Sequence, residues 1–320
     1  MAETQKVSAM KVALALATVY VIWGSTYLAI RFAIETLPPF WMAGVRFLVS
    51  GVLLYGWARW RGASRPSRVH WRSAALIGAL LLLGGNGGVV WAEQRVDSGL
   101  AALLVSTVPL WMVVFEWLRK GGTRPTLGVV AGLALGFAGL VMLVRPGSGG
   151  IDPIGAAVLL LACVSWAWGS LRSRHVTLPE SPLLATGMEM LSGGVFLMVV
   201  GLLTGEAGRL DLAGASMKSV LSLGYLIVFG ALGFTAYIWL LRVTSPALVS
   251  TYAYVNPVVA VFLGWALAGE PLTGGMLGAA AVILTGVALI TVFRNRPAPQ
   301  PQEEEDVCRN KPLSPSVAVD

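Results

Sequence analysis

Long apolar runs alternate with short polar segments along almost the whole chain. Ten runs carry no charge or a single one, and each has roughly the 17–25 residues with which an α-helix crosses about 30 Å of hydrocarbon. They cover residues 12–30, 38–58, 73–92, 98–115, 125–144, 153–171, 181–205, 219–241, 243–269 and 271–293. Strands of an outer-membrane barrel are shorter and alternate apolar with polar residues. The pattern therefore predicts an all-α integral membrane protein with ten transmembrane helices, the ninth run including part of a flanking loop.

The composition fits a lipid environment. Hydrophobic residues make up 56% of the 320 residues, charged residues only 12%, and the mean hydropathy is +0.74, whereas about 25% charged residues is usual in soluble domains. The 38 glycines suit helices that approach one another closely in a bilayer. The net charge of +7 is spread between the apolar runs rather than gathered on one face, so we expect no nucleic-acid partner.

Lysine and arginine define an orientation. With the N-terminus placed in the cytoplasm, 17 of the 23 Lys and Arg residues fall in cytoplasmic segments, five of them in the loop 59–72. Positive residues favour the cytoplasmic side. We therefore expect a multi-pass protein of a bacterial-type inner (plasma) membrane, with both termini cytoplasmic.

The two halves of the chain resemble each other. Residues 43–54 match residues 186–197, Trp23-Gly24-Ser25 matches Trp168-Gly169-Ser170, and Gly139 matches Gly286, at nearly constant spacing. Because each half holds five spans, the second copy enters the membrane upside down, an architecture typical of secondary transporters. We predict a first repeat at 1–147, an inverted second repeat at 148–294 and a disordered cytoplasmic tail at 295–320.

Several strings carry a resemblance to a known family. Trp23-Gly24-Ser25-Thr26-Tyr27, Ala43-Gly44-Val45-Arg46-Phe47 and Tyr254-Val255-Asn256-Pro257, with Gly269-Glu270 after the last, resemble the EamA-type family of the drug/metabolite transporter superfamily. The resemblance covers about residues 10–294. It implies ten spans in two EamA repeats and export of amino acids or related small metabolites. In the first repeat no Glu stands at the place that matches Glu270.

Enzyme chemistry finds little support in the sequence. The runs contain no Asp, both histidines (His70 and His175) lie between runs, and no phosphate-binding loop is present. Cys163 and Cys308 do not form a metal cluster. We expect a transporter without a cofactor, whose partners are a small-molecule substrate and membrane lipid; a monomer is compatible with the sequence, which does not define the oligomeric state. The alternative is a drug, toxic-compound or lipid-type exporter, or a channel, of the same architecture.

Candidate substrate-binding residues are polar or aromatic residues inside the runs. Tyr252 and Asn256 lie four residues apart and so share a helix face, next to a carbonyl group that Pro257 leaves without its helical donor. Trp23 and Trp168 occupy matching positions, and Asn86 lies between two glycine pairs. The alternatives are core packing for the tryptophans and an interhelical hydrogen bond for Asn86.

Arg46 and Glu189 are charges well inside the runs, at matching positions of the two halves. Ionisable residues at such depth are functional candidates because their insertion is costly. We consider them candidates for gating, with Glu189 as a carrier of a coupling proton. The alternative is that each bonds groups of its own half, with Arg46 extending toward the interface.

Overall fold

The computed structural model describes residues 8–119, 125–144, 152–244 and 251–294. Over these ranges it contains ten long helical segments, a short 3₁₀-helix at Glu206–Arg209 and no β-strand. The ten long segments are α1 (Ala9–Ala33), α2 (Pro39–Trp60), α3 (Arg68–Ala92), α4 (Ser98–Leu118), α5 (Leu127–Val144), α6 (Pro153–Ser173), α7 (Pro182–Leu203), α8 (Met217–Val243), α9 (Tyr252–Ala268) and α10 (Gly274–Arg294). The predicted tail 295–320 and the predicted repeat boundary at 147–148 lie outside the described residues.

Eight of these helices are long and apolar enough to cross a membrane, and α5 and α9 are shorter apolar helices. The long run 243–269 was predicted to include part of a loop, and α9 begins only at Tyr252. Apolar side chains also cover the exposed surface, such as Val228 and Phe229 on α8 and Phe262 on α9. Such a surface suits contact with lipid, as the sequence predicts.

Local sequence signals explain where several helices begin. Ser67 and His70 form a reciprocal capping box at the start of α3. The Asp152 side chain accepts from the Gly155 backbone N–H at 2.7 Å at the start of α6. Proline occupies one of the first positions of α2, α6 and α7, where its missing N–H costs nothing.

Two helices are irregular. The middle of α3, Ala79–Gly87, is a π-helix, a wider turn that is found most often at functional sites. A turn at Ser106–Thr107 interrupts α4, and Pro109 lies in the first turn of its second part, Val108–Leu118. The hydroxyl groups of Ser106 and Thr107 donate to their own helix, to the carbonyl groups of Leu103 and Leu104, both at 2.6 Å. Hydroxyl side chains thus bond backbone carbonyls beside the interruption.

α2 packs along α7 through glycines that match in the sequence repeat. A methyl group on Gly44 would lie 3.3 Å from the Gly194 carbonyl oxygen, and one on Gly194 would lie 3.1 Å from that of Gly44. Gly51 and Gly187 approach each other in the same way, at 3.1 and 3.2 Å. Because Gly44 matches Gly187 and Gly51 matches Gly194, the contacts are reciprocal and the two helices are antiparallel.

α5 and α10 repeat this arrangement. A methyl group on Gly132 would lie 2.7 Å from the Gly286 carbonyl oxygen, and one on Gly139 would lie 3.1 Å from that of Ala279. Gly139 and Gly286 are again partners in the repeat, and Gly132 and Ala279 have the same spacing from them. Reciprocal contact between matching patches is the pattern that a two-fold axis produces.

Candidate transport site

An aromatic cluster joins α1, α8 and α9. The ring of Trp23 lies with its centroid 5.0 Å from those of Tyr237 and Tyr252 and 6.0 Å from that of Phe234. Tyr237 and Tyr252 contact each other edge to face at 5.8 Å, a favoured geometry for aromatic pairs. Two of the residues predicted from the sequence, Trp23 and Tyr252, are therefore in direct contact.

Asn256 lies one turn along α9 from Tyr252 and is buried. With its amide nitrogen turned toward the neighbouring carbonyl groups, it donates to Tyr20 of α1 at 3.3 Å and to Tyr252 at 3.2 Å. The Tyr20 hydroxyl is hydrogen-bonded to that of Thr251. Asn256 thus ties α9 to α1 beside the aromatic cluster.

The structure does not bring Trp168 and Asn86 into this cluster. Trp168 is 52% exposed and packs edge to face on Phe115, with ring centroids 5.5 Å apart. Asn86 is partly buried in the π-helical part of α3, one turn before the fully buried Val90. The matching tryptophans therefore differ in environment, and roles for Trp168 and Asn86 in binding stay predictions.

Arg46 is buried on α2, in the end of the bundle where α1 leads into α2; we call this the α1–α2 end. Its guanidinium lies 4.9 Å from the centre of the Phe47 ring and faces Gly230 of α8. Within the described ranges its Nη1 atom has no hydrogen-bond partner. Met42 and Ala43, one turn earlier, pack in a closed apolar cluster with Ala29 of α1.

Glu189 occupies the position in the second repeat that matches Arg46 in the first, and it lines a cleft. This cavity of about 310 Å³ lies where α6 leads into α7, the α6–α7 end, and its lining is mostly apolar. The lining residues are Ile77, Leu81, Ser173, Leu178, Pro179, Pro182, Ala185, Thr186 and Glu189. No ion pair joins Arg46 to Glu189 in the part of the chain described here.

Two buried glutamates that the site prediction missed hold helix N-termini. The Glu270 carboxylate, after α9, accepts from the Ser98 backbone N–H at 2.8 Å, the Ser98 hydroxyl at 2.7 Å and the Gly99 N–H at 2.9 Å. The Glu206 carboxylate accepts from the N–H groups of Phe40 and Trp41 at the start of α2. Negative charge at a helix N-terminus is stabilising. Both contacts join residues far apart in sequence, so no local sequence pattern predicts them.

A third buried glutamate, Glu93, directly follows α3. Its side chain is fully buried, and neither carboxyl oxygen has a hydrogen-bond partner among the described residues. Burial, with the charge of Glu270 nearby, raises the pKa of Glu93 well above its usual range, although Arg31 and Arg46 act in the opposite direction. Arg31 donates to the Glu93 backbone carbonyl at 2.8 Å rather than to its carboxyl group. Its position at the end of an apolar run is the only sequence signal it gives.

A bundle of apolar helices with reciprocal glycine contacts and buried charges has the architecture of a multi-pass membrane transporter. The pattern of the EamA-like transporter family matches residues 10–145 and again residues 153–292. The chain belongs to this family, so the resemblance noted in the sequence is confirmed.

Known relatives agree with this assignment. The chain is 45% identical over 280 residues to YedA of Escherichia coli (strain K12), named as an uncharacterized inner membrane transporter, with 87% of this chain and 90% of that protein covered. It is 27% identical over 286 residues to the uncharacterized transporter YvbV of Bacillus subtilis (strain 168), covering 88% and 91%. A solved crystal structure, 21% identical, shares the fold with a TM-score of 0.61 over 90% of this chain and 99% of that one. The protein is a multi-pass inner membrane transporter.

Proposed function

We propose that this transporter is a carrier that exports amino acids or related small metabolites by alternating access. Two inverted five-helix repeats, 1–147 and 148–294, form the carrier, with both termini in the cytoplasm. The observation that carries the proposal is the reciprocal, antiparallel packing of α2 on α7 through matching glycines. A pair of inverted repeats can interchange their conformations and so expose one site to either side of the membrane.

The difference between the two ends of the bundle supports alternating access. At the α6–α7 end Ala185 and Thr186, each 7% exposed, line the cleft, while at the α1–α2 end their matches Met42 and Ala43, 2% and 0% exposed, belong to a core cluster. In the orientation that Lys and Arg favour, the open end faces the cytoplasm. This conformation is then the one in which an exporter takes up its substrate.

The aromatic cluster and Asn256 support a small substrate with an amino group. Trp23, Tyr237 and Tyr252 offer ring faces to a cation. The Asn256 amide oxygen and the carbonyl groups that its nitrogen bonds offer acceptors to an ammonium group, and the Tyr237 and Tyr252 hydroxyl groups offer donors to a carboxylate. A zwitterion needs donors and acceptors close together, and these residues of α1, α8 and α9 supply both.

The cleft itself favours a second candidate function, export of apolar organic cations such as drugs. Glu189 is the one ionisable residue in the lining, which is otherwise mostly apolar. An apolar cavity with a single carboxylate suits a cation with a hydrophobic body, and a lone charge selects by sign.

Counterflow in proteoliposomes tests these candidates. The purified full chain is loaded with each unlabelled amino acid in turn, and uptake of the same labelled compound is followed; tetraphenylphosphonium serves as the organic cation. We expect saturable counterflow with at least one amino acid, weakened about ten-fold or more in affinity by Asn256→Ala. Thr285→Ala, a change of an exposed α10 residue that bonds only its own helix, is the matched control.

Three outcomes separate the candidates. Saturable counterflow with the cation alone supports the drug-type exporter and rejects the amino-acid proposal. Flux that does not saturate and far exceeds carrier rates supports a channel. Normal kinetics in a well-folded Asn256→Ala variant would remove Asn256 from the site.

A further inference from the structure

Glu93 combines complete burial with the absence of any hydrogen-bond partner for its carboxyl group in the described part of the chain. It caps the C-terminus of α3, where its backbone N–H donates to the Val89 carbonyl at 2.9 Å. Its position is therefore fixed by a helix and not by a loose loop. A buried carboxylate without donors is costly, and a carboxyl group in such a place keeps its proton instead.

The other buried carboxyl groups show how different this environment is. Glu270 and Glu206 accept backbone N–H groups at helix N-termini, so both oxygens of each carboxyl group have a hydrogen-bond donor. Glu93 lies at the opposite, C-terminal end of a helix, where the partial charge is negative. The helix thus disfavours its ionised form, and burial raises the pKa of Glu93 further.

Charged and titratable groups face Glu93 from each neighbouring element. α1 contributes Tyr27 and Arg31, α2 contributes Arg46, and the end of α9 contributes Glu270; Asp97 follows in the same connection. Neither arginine forms an ion pair with Glu93 within the described ranges, since Arg31 is engaged with the backbone carbonyl. Arg46 keeps a buried Nη1 donor without a partner.

Unsatisfied acceptors on Glu93 and an unsatisfied donor on Arg46 thus lie in one charge cluster without touching. We propose that Glu93 is a proton-binding site that holds a proton in this conformation, and that its ionised form pairs with the Arg46 guanidinium. Loss of the proton would create a charge that movement of Arg46 toward the end of α3 satisfies. The site is distinct from Glu189 and does not depend on which substrate is carried.

Infrared pH-difference spectroscopy on the full chain in nanodiscs tests the site without any transport assay. In a titration from neutral pH upward, over the range in which the protein stays folded, we expect a band from a protonated carboxylic acid that Glu93→Gln loses. Glu206→Gln, which alters a buried but hydrogen-bonded carboxylate, is the matched control and keeps the band. A wild-type spectrum without the band, or the same band in folded Glu93→Gln, overturns the proposal.

A second variant covers the possibility that Glu93→Gln does not fold. Glu93→Asp keeps a carboxyl group but shortens the side chain, so both the band frequency and its titration midpoint should move. Absence of either change would assign the band to another residue and overturn the proposal. Because neither spectrum involves substrate, failure of counterflow and failure of the proton site are distinguished.

Discussion

The surroundings of Arg46 and Glu189, two matching positions of the sequence repeat, differ in packing and in charge. Around Arg46 the neighbouring Met42 and Ala43 are buried in a core cluster, and Arg46 lies near the ionisable Glu93, which in turn lies near Arg31 and Glu270. Around Glu189 the helices leave a cleft of about 310 Å³ with mostly apolar walls. The same backbone architecture thus has several buried ionisable groups at the α1–α2 end and a mostly apolar cleft with one ionisable residue at the α6–α7 end.

This difference shows that the repeat determines how the helices pack but not which side chains occupy matching positions. Backbone packing follows the repeat, because glycines at matching positions allow the same close approach in α2 with α7 and in α5 with α10. Side-chain chemistry does not follow the repeat, because Arg46 in the first half matches Glu189 in the second. Because the side chains at matching positions differ, the α1–α2 end and the α6–α7 end can open under different conditions.

The largest expected effect comes from breaking the α2–α7 seam that links the two regions. A methyl group on Gly187 would lie 2.7 Å from the Tyr55 backbone nitrogen, so Gly187→Ala forces the helices apart. Overpacking of this kind costs about 1–3 kcal/mol. Thermal unfolding in detergent should show the loss, whereas Gly56→Ala, with open space around its Cβ, should unfold like the wild type. Equal stability of both variants would contradict the close packing.

The next largest effect contrasts two buried glutamates of the charge cluster. Glu270→Gln weakens charge-assisted bonds to Ser98 and Gly99 and should destabilise the protein by about 1.5–3 kcal/mol. Glu93→Gln replaces a neutral, unbonded carboxyl group by a neutral amide, so it should not destabilise the protein and should raise its stability at neutral pH, where only the unfolded glutamate would ionise. Chemical denaturation in mixed micelles compares them. A larger loss for Glu93→Gln would mean that its carboxylate is ionised and paired.

Much of the fold could be predicted from the sequence, and less of the site. The apolar runs predicted nearly every helix to within a few residues, because hydrophobic length is a local property. Helix periodicity predicted that Tyr252 and Asn256 lie together, and Trp23 contacts Tyr252, while their role in binding stays a prediction. The roles of Glu93, Glu206 and Glu270 were missed because they depend on which distant helix end lies beside each carboxyl group. The π-helical turn of α3 likewise follows from packing, through its glycines.

A third effect is the pH dependence of stability that Glu93 contributes. Its pKa is raised in the folded state, so the folded protein holds the proton from about pH 4.3, where an unfolded Glu loses it, up to the folded pKa. Within that window stability falls as pH rises, by about 1.4 kcal/mol per unit, and the loss is complete above the folded pKa. Unfolding temperatures across this range should decline less steeply for Glu93→Gln than for the wild type. Parallel curves would show that Glu93 does not titrate there.

The smallest effect concerns the open end. Glu189 is only partly buried, so Glu189→Gln should leave the unfolding temperature unchanged. Attraction between a partly exposed carboxylate and a cation is worth at most about 1 kcal/mol, or about five-fold in affinity. In counterflow, the affinity for tetraphenylphosphonium should therefore fall by about five-fold. The affinity for a zwitterionic amino acid should fall by less. If the variant also loses the pH dependence of transport, Glu189 carries the coupling proton.

The central claim, that matching ends open in alternation, is tested most directly by thiol accessibility. Single cysteines are placed at Ala185 in the cleft and at its match Met42, in a chain with Cys163 and Cys308 replaced by serine. We predict that a membrane-impermeant maleimide labels Ala185→Cys only from the cytoplasmic side. Conditions that raise labelling of Met42→Cys from outside, such as saturating substrate, should lower that of Ala185→Cys. Independent or simultaneous labelling of both positions would contradict alternating access and favour a channel.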